Sequence, residues 1–177
     1  MNSKHIELIH LLFYEAEKIK IPLWLSGGWA IDAKRGQVTW EHEDIDVTYP
    51  SDQGNNFIAL LLRLGGSITQ QTSYGFLASL QGVLIDCEPC TLVGDSYELD
   101  GPPSGACPME KLGKLDSIPI RCISWEAVLW DYFYYIEEVP LSKWRSKDFS
   151  NFELVKAFYG KANTQKLYEQ FKTQCVG

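Results

Sequence analysis

Two carboxylates separated by one isoleucine, Asp44 and Asp46 in "EDIDVTYP", follow a short distance after a pair of glycines, Gly27 and Gly28 in "WLSGGWAID". The stretch alternates Asp44, Asp46 and Thr48 against Ile45, Val47 and Tyr49, which predicts a strand carrying both acids on its polar face, about 7 Å apart. Left alone on a mostly buried sheet, such a pair repels itself. Hard divalent cations, which take oxygen ligands, relieve that cost. Asp86, in "LIDCEP", ends another apolar run and is followed on its own face by Glu88. If the two strands are neighbours, three aspartates converge. Three carboxylates around Mg²⁺, facing a strand, glycine turn and helix, make a site for a nucleoside triphosphate, whose phosphate charge the metal neutralises and whose displacement it lines up. Gly27 and Gly28 suit the turn because a backbone without Cβ lets phosphates come close, and amides at a helix start donate to anions. Ser26 either caps that helix or touches a phosphate.

Each motif by itself says little. Two glycines after a strand are usually only a turn, and a lone D-x-D is usually charge on an exposed strand. Their order along the chain is what is specific, with the turn first, the acid pair on the next strand and the third acid on a later one.

The elements that must position these groups are legible in outline. Glu7 to Ile19 carries Leu8, Leu11, Leu12, Ala16 and Ile19 at helical spacing, and Pro22 ends the run. "PLWLSGG" reads as a short buried strand stopped by glycine, and "WAIDAKRG" as a helix closed by Gly36. After "EDIDVTYP" a second amphipathic helix spans Asn55 to Leu64. The strands "YGFLASL" and "VLIDCEP" then meet in a hairpin at Gln81 and Gly82. Residues 91–115, rich in Gly, Pro, Ser and Asp, are expected to form a long loop, and loops of that length are more often functional than idle. "IPIRCI" is a further strand, and from Ser124 onward the pattern is helical. The expected fold class is α/β (α+β), a mixed sheet with flanking helices over residues 1–122, followed by a C-terminal helical domain over residues 123–177.

Composition narrows the partners. The chain has 177 residues with 16 Lys and Arg against 23 Asp and Glu, a net charge of -7, and no basic cluster to track a phosphate backbone. That disfavours nucleic acid and leaves room for a cationic small molecule. The N-terminus has acids inside its apolar pattern and no small-residue cleavage site, and no stretch approaches a membrane span. Five cysteines, an odd number, point to free thiols in a reducing cytoplasm. Cys87 and Cys90 form a single "CEPC" with no second pair at zinc spacing, so core packing is the better reading for Cys87.

These residues carry a resemblance. "GGWAIDA", "HEDIDVTYP" and "LIDCEP" look like the nucleotidyltransferases of DNA polymerase β type, with GG or GS, then D-x-D, then a later Asp. Along essentially its whole length, through "YGFLA", "DCEP", "SGACP", "RCISWEA" and "WDYFYY", the chain is similar to the aminoglycoside 2''-O-nucleotidyltransferases. The resemblance implies ATP- and Mg²⁺-dependent transfer of AMP to the 2'' hydroxyl of 4,6-disubstituted aminoglycosides such as kanamycin, tobramycin and gentamicin; the chain is expected to act as a monomer. It further implies that Asp44 and Asp46 hold two Mg²⁺ ions with ATP, and that Asp86 joins them as ligand and acts as general base. Gly27 and Gly28 would hold the triphosphate, with His42 and Lys147 approaching it. Three departures stand out, one of them the altered "YELDGPPSGACPMEK" loop. Ser26 occupies a position where a third glycine is expected, and Trp40 and Glu41 stand where a basic residue is expected.

The drug side has a physical argument of its own. In the helix of "SWEAVLWDYFYYIEEV", Asp131, Tyr134, Tyr135 and Glu138 fall at i, i+3, i+4 and i+7, an acidic and aromatic face suited to ammonium groups and sugar rings. Glu88 and Tyr74 join them through their places beside Asp86 and in the "YGFLA" hairpin. A lincosamide nucleotidyltransferase shares the N-terminal motif, but its substrate has fewer amines and gives less reason for these acids. A non-catalytic, antitoxin-like binding module is the alternative from another class, and the presence of all three aspartates argues against it.

Overall fold

The computed structural model describes residues 2–176. The polar and apolar alternation around the acid pair produces the central strand, β2 (Asp44–Pro50), whose apolar residues Ile45 and Val47 are fully buried while Asp44 and Asp46 stay partly open. On one side β2 pairs antiparallel with the two-residue β1 (Trp24–Leu25), and on the other it pairs parallel with β5 (Val83–Val93). The antiparallel strands β4 (Phe76–Leu80) and β3 (Ser67–Gln71) continue the sheet, giving the order β1-β2-β5-β4-β3. Past β1, Leu25 donates to the Arg121 carbonyl at 2.9 Å and accepts from Ile123 at 3.0 Å, so the chain leaving β8 (Ile118–Ile120) lies along the sheet edge. β8 itself forms a hairpin with β7 (Gly113–Leu115).

Helices α1 (Asn2–Lys18) and α3 (Gly54–Arg63) pack against one another and on β2. The short α2 (Gly27–Arg35) follows β1 directly and ends at Gly36, whose left-handed conformation lets its amide reach back to the carbonyls of Ala33 and Asp32. From Trp125 onward the chain is helical: α4 (Trp125–Glu138), capped by the Ser124 side chain on the Ala127 amide, then α5 (Ser146–Tyr159) and α6 (Lys161–Phe171). Both α4 and α5 pack against α2. The N-terminus of α2 therefore lies between the sheet and the helical third of the chain.

Two sequence expectations are corrected. Residues 91–115 are not one loop, because β5 runs on through Thr91–Val93 and turns at Gly94 into β6 (Ser96–Glu98), leaving only the stretch before β7 irregular. Its β-branched residues and a glycine turn at positive φ favour the hairpin over the loop. β3 was not expected. It is an almost wholly exposed edge strand of sequence SITQQ, without the apolar period that marks a strand. Cys87 and Cys90 are both free and buried, Cys87 within the core.

Candidate active site

The parallel register of β2 and β5 sets Asp46 directly beside Asp86 and Thr48 beside Glu88, so the acids of both strands share one face of the sheet. The glycine turn closes on the same spot. Gly27 has φ +53°, and a Cβ built on it would fall 2.0 Å from Asp46 Oδ2. The backbone thus rests on the carboxylate itself, which no side chain at that position would permit. Ser26 precedes the helix without capping it. Its amide donates to the Asp46 carbonyl at 3.1 Å, and its hydroxyl accepts from Thr48 Oγ1 at 3.4 Å. Trp29 ties the other end of the motif, donating from Nε1 to the Asp44 carbonyl at 3.0 Å.

His42 is held beside Gly28 by its neighbours. Its ring stacks on Trp29 with centroids 4.1 Å apart, and Nε2 meets Asp32 Oδ2 at 2.8 Å. Asp32 is itself buried and takes further bonds from the amide and hydroxyl of Thr39. A Cβ on Gly28 would lie 2.8 Å from His42 Cε1, so this glycine too is required by close packing. Asp32 escapes notice in the sequence because a lone acid inside a helix carries no signal until the fold brings His42 to it.

Acidity accumulates on the cleft floor. Burial pushes the Asp46 carboxyl up to about 7, with the charges of Asp44, Asp86 and Glu88 adding to the effect. Burial also raises Asp86, opposed by a hydrogen bond from Tyr74, whose hydroxyl donates to Oδ2 at 3.0 Å. Glu88 is raised by burial and then by Asp86. Asp131, on α4, is open to the cleft. Yet the packed walls and the charges of Glu88 and Asp46 hold its carboxyl well above the usual range.

The cleft has two compartments that share Gly27 and Asp131. One, of about 150 Å³, is lined by Ser26, Asp46, Tyr74, Asp86 and Glu88. The other, of about 280 Å³, is lined by Gly28, Val128, Tyr132, Tyr135, Arg145 and Asp148. A larger hollow of about 380 Å³ between α1 and β8 is mainly apolar and holds none of these groups, so chemistry rather than volume marks the site.

Most of the residues singled out from the sequence line these two compartments, but Asp44, His42, Tyr134, Glu138 and Lys147 do not. Tyr134 does not face the cleft: its ring packs edge-on against Phe171 at 4.9 Å, and its hydroxyl lies 3.2 Å from Cys175 Sγ. The cleft stripe of α4 is Val128, Asp131, Tyr132 and Tyr135, and Tyr134 points about 100° around the helix from Tyr135. Glu138 lines neither compartment. Lys147 lies at the mouth, 4.0 Å from Glu43, and is close enough to lower the Asp46 carboxyl. Arg145, missed in the sequence, lines the larger compartment. It is clamped by Asp148 through Nε at 2.8 Å and Nη2 at 3.0 Å, and "KWRSKD" at a helix start was the only available hint.

Among the described residues, no three His, Cys, Asp or Glu side chains close into a ready-made metal cage. The donor set nonetheless fits Mg²⁺, which is commonly held by one or two carboxylates together with substrate phosphates. Asp86 Oδ1 is buried without any hydrogen-bond partner, an acceptor left for a cation or a proton donor.

A mixed sheet presenting D-x-D and a third aspartate to a glycine turn, backed by a helical C-terminal third, defines a nucleotidyltransferase. The family profile described as aminoglycoside-2''-adenylyltransferase matches residues 8–173, and the chain belongs to that family. It is 39% identical to a 2''-aminoglycoside nucleotidyltransferase of Klebsiella pneumoniae over 98% of both chains. The crystal structure of ANT(2'')-Ia in complex with adenylyl-2''-tobramycin superposes with a TM-score of 0.94 at 38% identity, covering 97% of this chain and 98% of that one. A lincomycin-bound lincosamide adenylyltransferase shares the fold, with a TM-score of 0.60 at 20% identity over 85% of this chain and 95% of that one.

Proposed function

We propose that the protein transfers AMP from ATP to the 2'' hydroxyl of 4,6-disubstituted aminoglycosides of the kanamycin, tobramycin and gentamicin type, and so confers resistance to them. One observation carries the reading. The glycine turn rests on Asp46, Asp46 stands in register with Asp86, and both open onto a compartment walled by Glu88 and Asp131.

The two compartments divide the substrates by chemistry. Tyr132, Tyr135 and Arg145 around Gly28 suit a nucleotide, with aromatic faces for the base and a guanidinium and helix amides for the phosphates. His42, held by Asp32, lies against Gly28 on the same side, and Lys147 is near enough to Asp46 to add positive charge at the phosphates. The acid-lined compartment suits a polyammonium sugar, so residues 123–177 contribute a drug wall through Asp131. Asp44, Asp46 and Asp86 would hold Mg²⁺, which when bound neutralises the phosphates and orients the displacement. Asp86 takes the proton of the attacking hydroxyl as its oxygen bonds to the α-phosphorus and pyrophosphate leaves.

The test is pyrophosphate release from the purified protein with ATP and Mg²⁺ over a panel of aminoglycosides and lincosamides, with mass spectrometry and NMR locating the adenylyl group. Product on the 2'' hydroxyl of tobramycin or kanamycin is expected. Product only from lincosamides, or no pyrophosphate with any drug, would refute the assignment.

A further inference from the structure

The cleft holds little positive charge. Among the described residues that line either compartment, Arg145 is the one Lys or Arg. The approach to β2 offers none, since no Lys or Arg stands between Arg35 and Arg63, and Glu41 and Glu43 precede Asp44. Positive charge reaches this side of the cleft from the start of α5, where Arg145 and Lys147 both face Glu43, at 3.7 and 4.0 Å.

An arginine in that position has a handicap. Its side chain is 58% exposed, and a long cation in water samples many rotamers, whose loss on binding a phosphate costs affinity. Asp148 removes that freedom beforehand. Only 13% exposed, it accepts from Arg145 Nε at 2.8 Å with Oδ2 and from Nη2 at 3.0 Å with Oδ1, and Oδ2 also accepts from the Arg145 amide at 3.3 Å. The two parallel bonds set the plane of the guanidinium and tie it back to its own backbone. Nη1 takes no part in this fork and is the nitrogen nearest Glu43.

We infer that Asp148 is a positioning residue for the nucleotide, holding Arg145 by Nε and Nη2 so that Nη1 is left to donate to a phosphate oxygen of ATP, which takes the place of Glu43. The inference rests on the reading of the compartment beside Gly28 as the nucleotide subsite. It assigns neither residue a part in proton transfer; Arg145 binds, and Asp148 acts through Arg145.

The sign of one measurement separates positioning from charge. Asp148 is an anion lining the compartment, so by charge alone it repels a triphosphate, and Asp148→Asn would tighten binding. Positioning predicts the opposite. The Kd of a non-hydrolysable ATP analogue with Mg²⁺, measured by calorimetry, is expected to rise about fivefold or more in Asp148→Asn. In an Arg145→Ala background nothing is left to position, and the same substitution is expected to leave Kd unchanged or to lower it. With turnover, KM for ATP should rise while kcat and KM for tobramycin stay within about twofold of wild type. An unchanged or lower Kd in Asp148→Asn alone would mean that Asp148 acts by charge, and a rise in both backgrounds that it acts only through the start of α5; either result overturns the inference. Failure of the wild-type protein to bind the analogue overturns the reading of the compartment and the inference with it. Absence of drug adenylylation with the analogue still bound overturns the proposed function alone, and the Kd values then decide the role of Asp148.

Discussion

Gly27 is the residue at which turn and carboxylate become one device. Any L side chain there meets two penalties at once, a left-handed backbone at φ +53° and an atom 2.0 Å from Asp46 Oδ2. Gly27→Ala is expected to displace Asp46, lower turnover by about a hundredfold or more and cost roughly 1–2 kcal/mol of stability. Gly65→Ala supplies the control, because Gly65 also has positive φ, +84°, with nothing within 4 Å. It should show a similar loss in thermal melting with turnover intact, and equal loss of turnover in both variants would mean that the contact with Asp46 is irrelevant. Asp86 is tested by an isosteric change. Asp86→Asn keeps the shape but cannot take a proton, so turnover should vanish while binding of a nucleotide analogue, measured by calorimetry, persists. Undiminished turnover removes Asp86 as the base.

At the scale of the element, α4 separates residues that the sequence alone grouped together. Tyr135 lines the cleft beside Gly28 and Arg145, whereas Tyr134 packs on Phe171. Tyr135→Ala is therefore expected to raise KM for ATP severalfold with little change in melting temperature. Tyr134→Ala should lower the melting temperature and leave both KM values near wild type, and the reverse pattern would return Tyr134 to the site. Helical periodicity revealed that α4 has two faces, but not where the boundary between them lies, because that is set by α6, α5 and α2 packing around it. Strand alternation was legible where it was strong, in β2, and illegible in β3, whose polar residues are held by pairing with β4 alone. The three aspartates and two glycines were legible because their order encodes the site. Arg145, Asp148 and Asp32 were not, since each acquires its role only from partners that the fold supplies.

On the scale of the whole molecule, the cleft is an electrostatic debt held by the fold. Asp46, Asp86, Glu88 and Asp131 are all pushed above the ordinary carboxylate range, burial first and mutual repulsion second. A carboxyl whose folded value exceeds its unfolded one binds more protons when folded. Its contribution to stability is thus fully present below the unfolded value and is lost as pH rises through the folded one. For Asp46 that window runs from 3.8 to about 7. In metal-free protein, Asp46→Asn is therefore expected to raise the melting temperature at pH 7.5 by roughly 3 °C and to leave it unchanged at pH 3.5, flattening the curve between. Divalent cations compete with protons for the same oxygens. Stabilisation by Mg²⁺ with a non-hydrolysable ATP analogue should therefore grow from pH 5.5 to 7.5 in the wild type, and grow less in Asp46→Asn. Parallel melting curves for the two proteins across that range, with and without Mg²⁺, would show that the charge on Asp46 is not what the cation relieves. The acid cluster would then be a feature of drug recognition alone.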